Sequence, residues 1–486
     1  MIREVAATAA ISLRTALRSR LAPMMALVLL AVAIWLPMTI RGDGTPEGLI
    51  RVHLTYTLGI SSFLLGLFSL WAGSAGVSRE AESKTLQLLV VKPVPRSAIW
   101  LGKWAGLLVL DAVFLGLAVG ASGWVLAVRL RRGEFTEMQR TEASARALAS
   151  LETVRAPLPD LEAEVRAEYG RLRAAGRLPE APESTVLAQI RRHRLIRHYA
   201  VAPGASHEWT FALPKGAEAD TPFFVQMQCD SSQMGSAETR VELQMGGTMQ
   251  EVEFIPGVAR QVPGDFSFAA AGAGAEGAPT LTVRVRNRDP QQATLFFDPT
   301  DGVVLRMRAG SFAGNLFRAA LQLYFRLALL AALGLTLGTL FSMPVATFLS
   351  LALLILLQLS GFVGAAAQTD RAVFVANVAP FRAGAEAHAH ETAAGAEGAA
   401  VAEEEEPSAW AEAAATLLYY VYRGTWVVLR PLLENQTLDL VTTATVIPIR
   451  DVVRHGLQQG LLLPLLLGGI STAALRRREW ALPAES

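Results

Sequence analysis

Apolar residues gather in six long runs along this chain, at approximately 21–40, 53–76, 101–128, 317–341, 344–367 and 452–475. A hydrocarbon core of about 30 Å needs roughly 20 apolar residues in a helix rising about 1.5 Å per residue. Each run meets that length, and the third and last are long enough to cross at a tilt. The pattern predicts a polytopic α-helical membrane protein with about six transmembrane helices. The first run has no small-residue cleavage site behind it, so it reads as a retained helix rather than a signal peptide. Ahead of it, Val5, Ala9, Leu13, Ala16 and Leu17 fall on one helical face, with Arg3, Arg14 and Arg18 set apart from most of them. That arrangement over residues 1–20 predicts an interfacial helix.

Between the third and fourth runs lie about 180 residues of another character. Residues 129–200 are helical in pattern, with breaks at Pro157, Pro159, Pro179 and Pro182. From 201 to 312 the period changes to two. Trp209, Phe211 and Leu213 alternate with polar or small residues, as do Phe223, Val225, Met227 and Cys229, then Val241, Leu243 and Met245. The same alternation runs through Phe266 and Phe268, Leu281, Val283 and Val285, Leu295 and Phe297, and Val303, Leu305 and Met307. Turn residues such as Pro214, Gly246, Gly247 and the pairs Asp289-Pro290 and Asp301-Gly302 separate them. Short alternating strands at this spacing predict an antiparallel β-sandwich with Cys229 as a small core residue.

The second polar loop spans 368–451. Its part 383–402 is rich in Ala, Gly and Glu and is expected to be disordered. An acidic run at 403–406 precedes Pro407, and Ser408 is placed to cap a helix through Trp410, Leu417, Tyr420 and Trp426. That helix is expected to lie in the interface. The alternative is a seventh span, against which Glu412 and Arg423 would each cost about 2–3 kcal/mol near the midplane.

Charge fixes an expected orientation. Arg3, Arg14, Arg18 and Arg20 precede the first run, Arg79, Lys84, Lys92, Arg96 and Lys103 stand between the second and third, and Arg476, Arg477 and Arg478 follow the last. An even number of spans puts all three clusters on one side, which the positive-inside rule makes the cytoplasm. Both termini are then cytoplasmic, and both long loops lie outside. Globally, 44 basic and 43 acidic residues give a net charge of +1, so no overall field favours nucleic acid. The single cysteine excludes an intrachain disulfide.

Catalytic signatures are missing. The chain has no GxxxxGK[ST] phosphate loop, no HExxH, no CxxC and no GxSxG. His388, His390 and Glu391 lie in the Ala/Gly/Glu-rich stretch, which lacks the ordered frame a metal site needs, so neither a metal nor a cofactor is expected on this chain. One ionisable group stands out. Asp111 falls within the third run, about 12 Å from its inner end, where a charged side chain is expensive and faces a bundle interior or a wet cavity. It is a candidate pathway or packing residue, and Arg326 in the fourth run is its candidate partner, about two helical turns away in depth.

The most informative stretch is 79–103, REAESKTLQLLVVKPVPRSAIWLGK. Glu80 and Glu82 favour a helix start, Leu86, Leu89 and Val90 form a short apolar face, and Pro93 and Pro95 stop it. A short amphipathic helix held between two spans suits the docking of a partner. This segment resembles the one after the second span of type-2 ABC transporter permeases. Glu80, Glu82, Lys84, Thr85, Leu86, Leu89, Lys92, Pro93, Arg96, Gly102 and Lys103 occupy matching positions, and Arg477-Arg478-Glu479 is similar to the family's ending. The resemblance covers the membrane portions. It implies an ABC ATPase subunit, carrying ATP and Mg on its own chain, docked against 80–96. It also implies a second permease subunit, identical or related, in the inner membrane. The expectation is therefore a non-catalytic permease subunit of an ATP-driven exporter. The 180-residue insertion departs from compact family members and raises an alternative, a mechanotransmission or binding protein acting through its outer β-domain on an envelope protein.

Overall fold

The computed structural model describes residues 1–18, 20–39, 45–82, 94–132, 135–178, 183–213, 223–233, 238–245, 248–264, 272–273, 279–358, 371, 374, 409–433 and 437–477. The chain divides into two compact units, Met1–Leu148 with Phe312–Ser486, and Ala149–Ser311.

The first unit is helical. Its elements are α1 (Ile2–Arg18), α2 (Leu21–Thr39), α3 (Pro46–Glu82), α4 (Arg96–Arg132) and α5 (Glu137–Ala147) before the insertion. The numbering passes over the second unit's helices α6 (Glu162–Ala174) and α7 (Glu183–His198). It resumes with α8 (Phe312–Leu340), α9 (Met343–Gln358), α10 (Ala409–Leu433), α11 (Thr437–Thr442), α12 (Ile449–Leu457) and α13 (Leu463–Arg477). Among the described residues, α2, α3, α4, α8 and the stretch Ile449–Arg476 are long and apolar enough to cross a membrane. The fifth predicted run begins as the shorter apolar helix α9, and residues 359–367 lie outside the described residues.

Helix α8 is the central post. Its apolar window is 67% buried, against 22% for α2. Small residues let α3 close on it. A β-carbon at Gly73 would stand 2.8 Å from the Ala331 carbonyl oxygen, and Gly334 and Gly338 press in the same way on the backbone of Leu70 and Ser74. Inside a bilayer no hydrophobic force drives helices together, so such close backbone approach is the source of packing energy. The Ser78 hydroxyl donates to the Gly338 carbonyl at 3.2 Å across the same contact.

Helix α1 uses its apolar face in a way the sequence did not indicate. Thr8 and Ala9 press on Gly102 and Gly106 of α4, and Leu13 and Ala16 pack toward Leu110 and Phe114. The face assigned to the leaflet thus packs on protein, because glycines one turn apart on α4 leave room for a helix there. Leu17 departs from that face and is exposed, as are Ile2 and Ile11.

The last predicted span is not a single α-helix. Helices α12 and α13 are joined by a π-helical turn, Gln458–Leu462. The Phe325 ring packs there, 3.0 Å from where a β-carbon would stand at Gly456 and 2.8 Å at Gly460. Helix α10 lies against the bundle, with Tyr422 and Trp426 packed toward Leu70, Leu329, Leu330 and Leu354, while Leu417 and Tyr420 are exposed. Its predicted cap Ser408, the acidic run and the stretch 383–402 with His388, His390 and Glu391 lie outside the described residues.

The second unit is a β-sandwich. One sheet has the order β1-β12-β4-β8, built from Ala149–Arg155, Val303–Ser311, Phe223–Met227 and Arg260–Gly264. The facing sheet has the order β3-β10-β6-β7, from Ser206–Ala212, Pro279–Asn287, Thr239–Met245 and Thr248–Phe254, with the two-residue β9 (Gly272–Ala273) beside β10. A short third sheet joins β2 (Ala200–Val201), β11 (Leu295–Phe297) and β5 (Cys229–Ser231). The period-two positions point inward as expected: Trp209, Phe211, Val225, Met227, Val241, Leu243, Val283, Val285 and Leu305 share one buried core. The opposite face of the second sheet carries cross-strand ion pairs, Glu208 with Arg284, Glu242 with Arg288 and Glu253 with Arg240. Phe266, Phe268, Pro214, Gly246 and Gly247 lie outside the described residues.

One boundary differs from the sequence reading. The region 129–200, read as helical, contains β1, which pairs with β12 in antiparallel register from Ala149↔Ser311 to Arg155↔Val304. A strand whose partner lies about 150 residues downstream leaves little local signal beside the helical stretches α5, α6 and α7.

Candidate functional site: the base of the segment between α3 and α4

Helices α3 and α4 are each 37 residues long, which at 1.5 Å per residue is about 55 Å and exceeds a hydrocarbon core. Each is therefore longer than a single crossing requires. Helix α4 begins at Arg96, directly after Pro95, whose carbonyl accepts from the Ala98 and Ile99 amides at 2.8 and 3.3 Å. This start is five residues earlier than the apolar run indicated, which puts Arg96 and Trp100 inside the helix together with Lys103.

Three ties brace this base. Lys103 Nζ meets Glu80 Oε1 at 2.5 Å, joining the last turns of α3 to the second turn of α4. Arg96 Nη1 donates to the Leu475 carbonyl at 2.6 Å, placing a cation on the last turn of α13, where carbonyls lack helical partners and the dipole is negative. Trp104 Nε1 donates to the Ala328 carbonyl of α8 at 2.9 Å, and its ring stacks on Trp100 with centroids 5.8 Å apart. Trp100 itself fills the space beside Gly468 of α13. The Arg79 guanidinium lies over the Trp71 ring, 5.2 Å from its centroid.

The structure thus brings together Glu80 and Lys103, and places Arg96 on a different neighbour from either. Glu82 lies in the last turn of α3, whereas Lys84, Thr85, Leu86, Leu89, Lys92 and Pro93 lie outside the described residues. The tryptophans at 71, 100 and 104 were not singled out from the sequence. Their position at the ends of spans, where amphipathic rings collect, was the available signal.

Asp111 is fully buried and accepts a hydrogen bond at Oδ1 from the Ser69 hydroxyl of α3 at 2.8 Å. Its Oδ2 and the Arg326 Nε are both buried without a hydrogen-bond partner among the described residues. No ion pair joins Asp111 to Arg326 there, so the pairing considered from sequence is replaced by a carboxyl–hydroxyl contact that pins α3 to α4.

Long apolar helices tied together at the facing ends of α3 and α4 define a membrane-spanning helical unit. Residues 5–147 match the family model described as ABC-2 family transporter protein. Over that stretch, from α1 to α5, the chain is similar to ABC-2 permeases, and with its apolar helices it is a multi-pass membrane protein. The match ends where the β-sandwich unit begins at Ala149. No curated protein and no solved structure matches the chain.

Proposed function

We propose that this chain is the membrane-spanning subunit of an ATP-driven exporter in the inner membrane, with both termini cytoplasmic. A separate ABC ATPase docks against 80–96, and a second permease subunit completes the pathway. ATP and Mg are bound by the ATPase. The observation that carries this reading is the bracing of the loop base: Glu80–Lys103 ties α3 to α4, and Arg96 ties α4 to α13. A push on the segment reaches three membrane helices at once through these contacts. The family match over the same residues supports it.

Affinity purification of the tagged chain in mild detergent tests the proposal, with wild type beside Leu86→Asp/Leu89→Asp. Mass spectrometry and an ATPase assay provide the readout. An ABC ATPase is expected with wild type and lost with the double variant. Absence of any ATPase from the wild-type preparation overturns the reading.

A further inference from the structure

The loop base borders a cavity of about 230 Å³. It is lined by Ser12, Thr15 and Ala16 of α1, Leu21 of α2, Trp71 to Glu80 on one face of α3, Lys103 and Leu107 of α4, and Leu335 of α8. The lining is amphiphilic by position. Leu21, Ala72, Leu107 and Leu335 form an apolar wall, while Arg79, Lys103 and Glu80 stand together at the helix ends. Lys103 is neutralised by Glu80. Arg79 is not: no carboxylate pairs with it among the described residues, and it is held in place over the Trp71 ring. Among the described lining residues the balance is one net positive charge at an apolar opening.

A cavity below about 300 Å³ is smaller than pockets that enclose a whole drug-sized molecule. It suits part of a longer molecule whose remainder stays in the bilayer. Basic pockets between helices at the cytoplasmic level take anionic lipid headgroups. We infer that this cavity binds one anionic phospholipid of the leaflet on the ATPase side. Its phosphate sits on the Arg79 guanidinium, within reach of the Ser12 and Thr15 hydroxyls, and its chain lies along Leu107 and Leu335. The inference rests on the orientation proposed above. It adds a ligand at the loop base that touches α1, α3 and α4 together, so lipid composition tunes how the base is held.

The test uses the full-length chain in nanodiscs of phosphatidylcholine with one part in ten phosphatidylglycerol, followed by delipidation and native mass spectrometry. Wild type is expected to retain one phosphatidylglycerol. Arg79→Gln is expected to retain it at least tenfold less, Arg79→Lys to recover part of the retention, and Arg14→Gln, which does not line the cavity, to behave as wild type. Ala72→Leu, which fills the apolar wall, is expected to lose the lipid while keeping every charge, and serves if Arg79→Gln fails to fold. Inorganic phosphate added to pure phosphatidylcholine discs separates a free-anion site from a lipid site; phosphate binding without lipid retention overturns the inference. So does equal retention by wild type, Arg79→Gln and Ala72→Leu, or equal retention of the two lipids. Lipid retention is read without any ATPase, so its failure is separate from failure of the permease reading.

Discussion

Lys103 is only 8% exposed, and an ammonium there is tolerable because Glu80 meets it. Removing one member of a buried pair strands the other, whereas removing both can be nearly neutral. Glu80→Gln is therefore expected to lower stability by about 1–3 kcal/mol, seen as a lower midpoint of thermal unfolding in detergent. Glu80→Gln/Lys103→Met should recover most of the loss. A double variant no better than the single would mean that the pair does not act as a unit. In the β-sandwich, Cys229 is 2% exposed. Burial, helped by the negative fields of Asp230 and Asp289, pushes its thiol up to about 12. The reactive thiolate is thus nearly absent at pH 8.5 in the folded chain and accessible once it unfolds, where the thiol returns toward about 8.5. Maleimide labelling at pH 8.5 is expected to be negligible without denaturant and complete with it; labelling of the folded chain would contradict the burial.

At the scale of elements, the crossing of α3 on α8 depends on the lack of side chains at a few positions. Gly338→Val would drive branched carbons into the Ser74 backbone, and overpacking of this kind costs about 1–3 kcal/mol or more. Gly116→Val on α4, where a β-carbon meets nothing within 4 Å, serves as the control. Folded yield after solubilisation should drop for the first and not for the second. These contacts show what the sequence could and could not disclose. Among the described residues, apolar runs marked all five helices long enough to cross a membrane and the shorter helix α9, because length and hydropathy are local properties. Period two exposed the sandwich core, since Trp209, Val225, Val241 and Val283 each alternate within their own strand. What escaped was relational. The face of α1 was visible but not its partner, because Gly102 and Gly106 lie about a hundred residues away on α4. The π-turn at Gln458 depends on a ring from α8, and β1 on a partner at the far end of the insertion. At the loop base, Glu80 and Lys103 were singled out by motif, while their direct contact and the Arg96 tie to Leu475 emerge only from the packing of α3, α4 and α13.

On the scale of the whole molecule, the chain leaves one unit at Leu148 and returns to it at Phe312. The residues just inside, Ala149 and Ser311, are partners in the β1–β12 ladder. Antiparallel partners lie only about 5 Å apart at their Cα atoms, so the insertion ends near where it starts. Such a domain behaves like a bead clipped onto a loop by its own stem. Excising 149–311 and joining Leu148 to Phe312 through a few glycines and serines is expected to leave the helical unit expressed, with its helix content and ATPase capture intact. Circular dichroism and the same affinity purification would show it, and collapse of the remaining helices would contradict it. The closed stem also accounts for how a helical membrane unit can carry an inserted β-domain at all. A segment that hydrogen-bonds its own two ends together can be spliced into a short loop without asking the helices on either side to move.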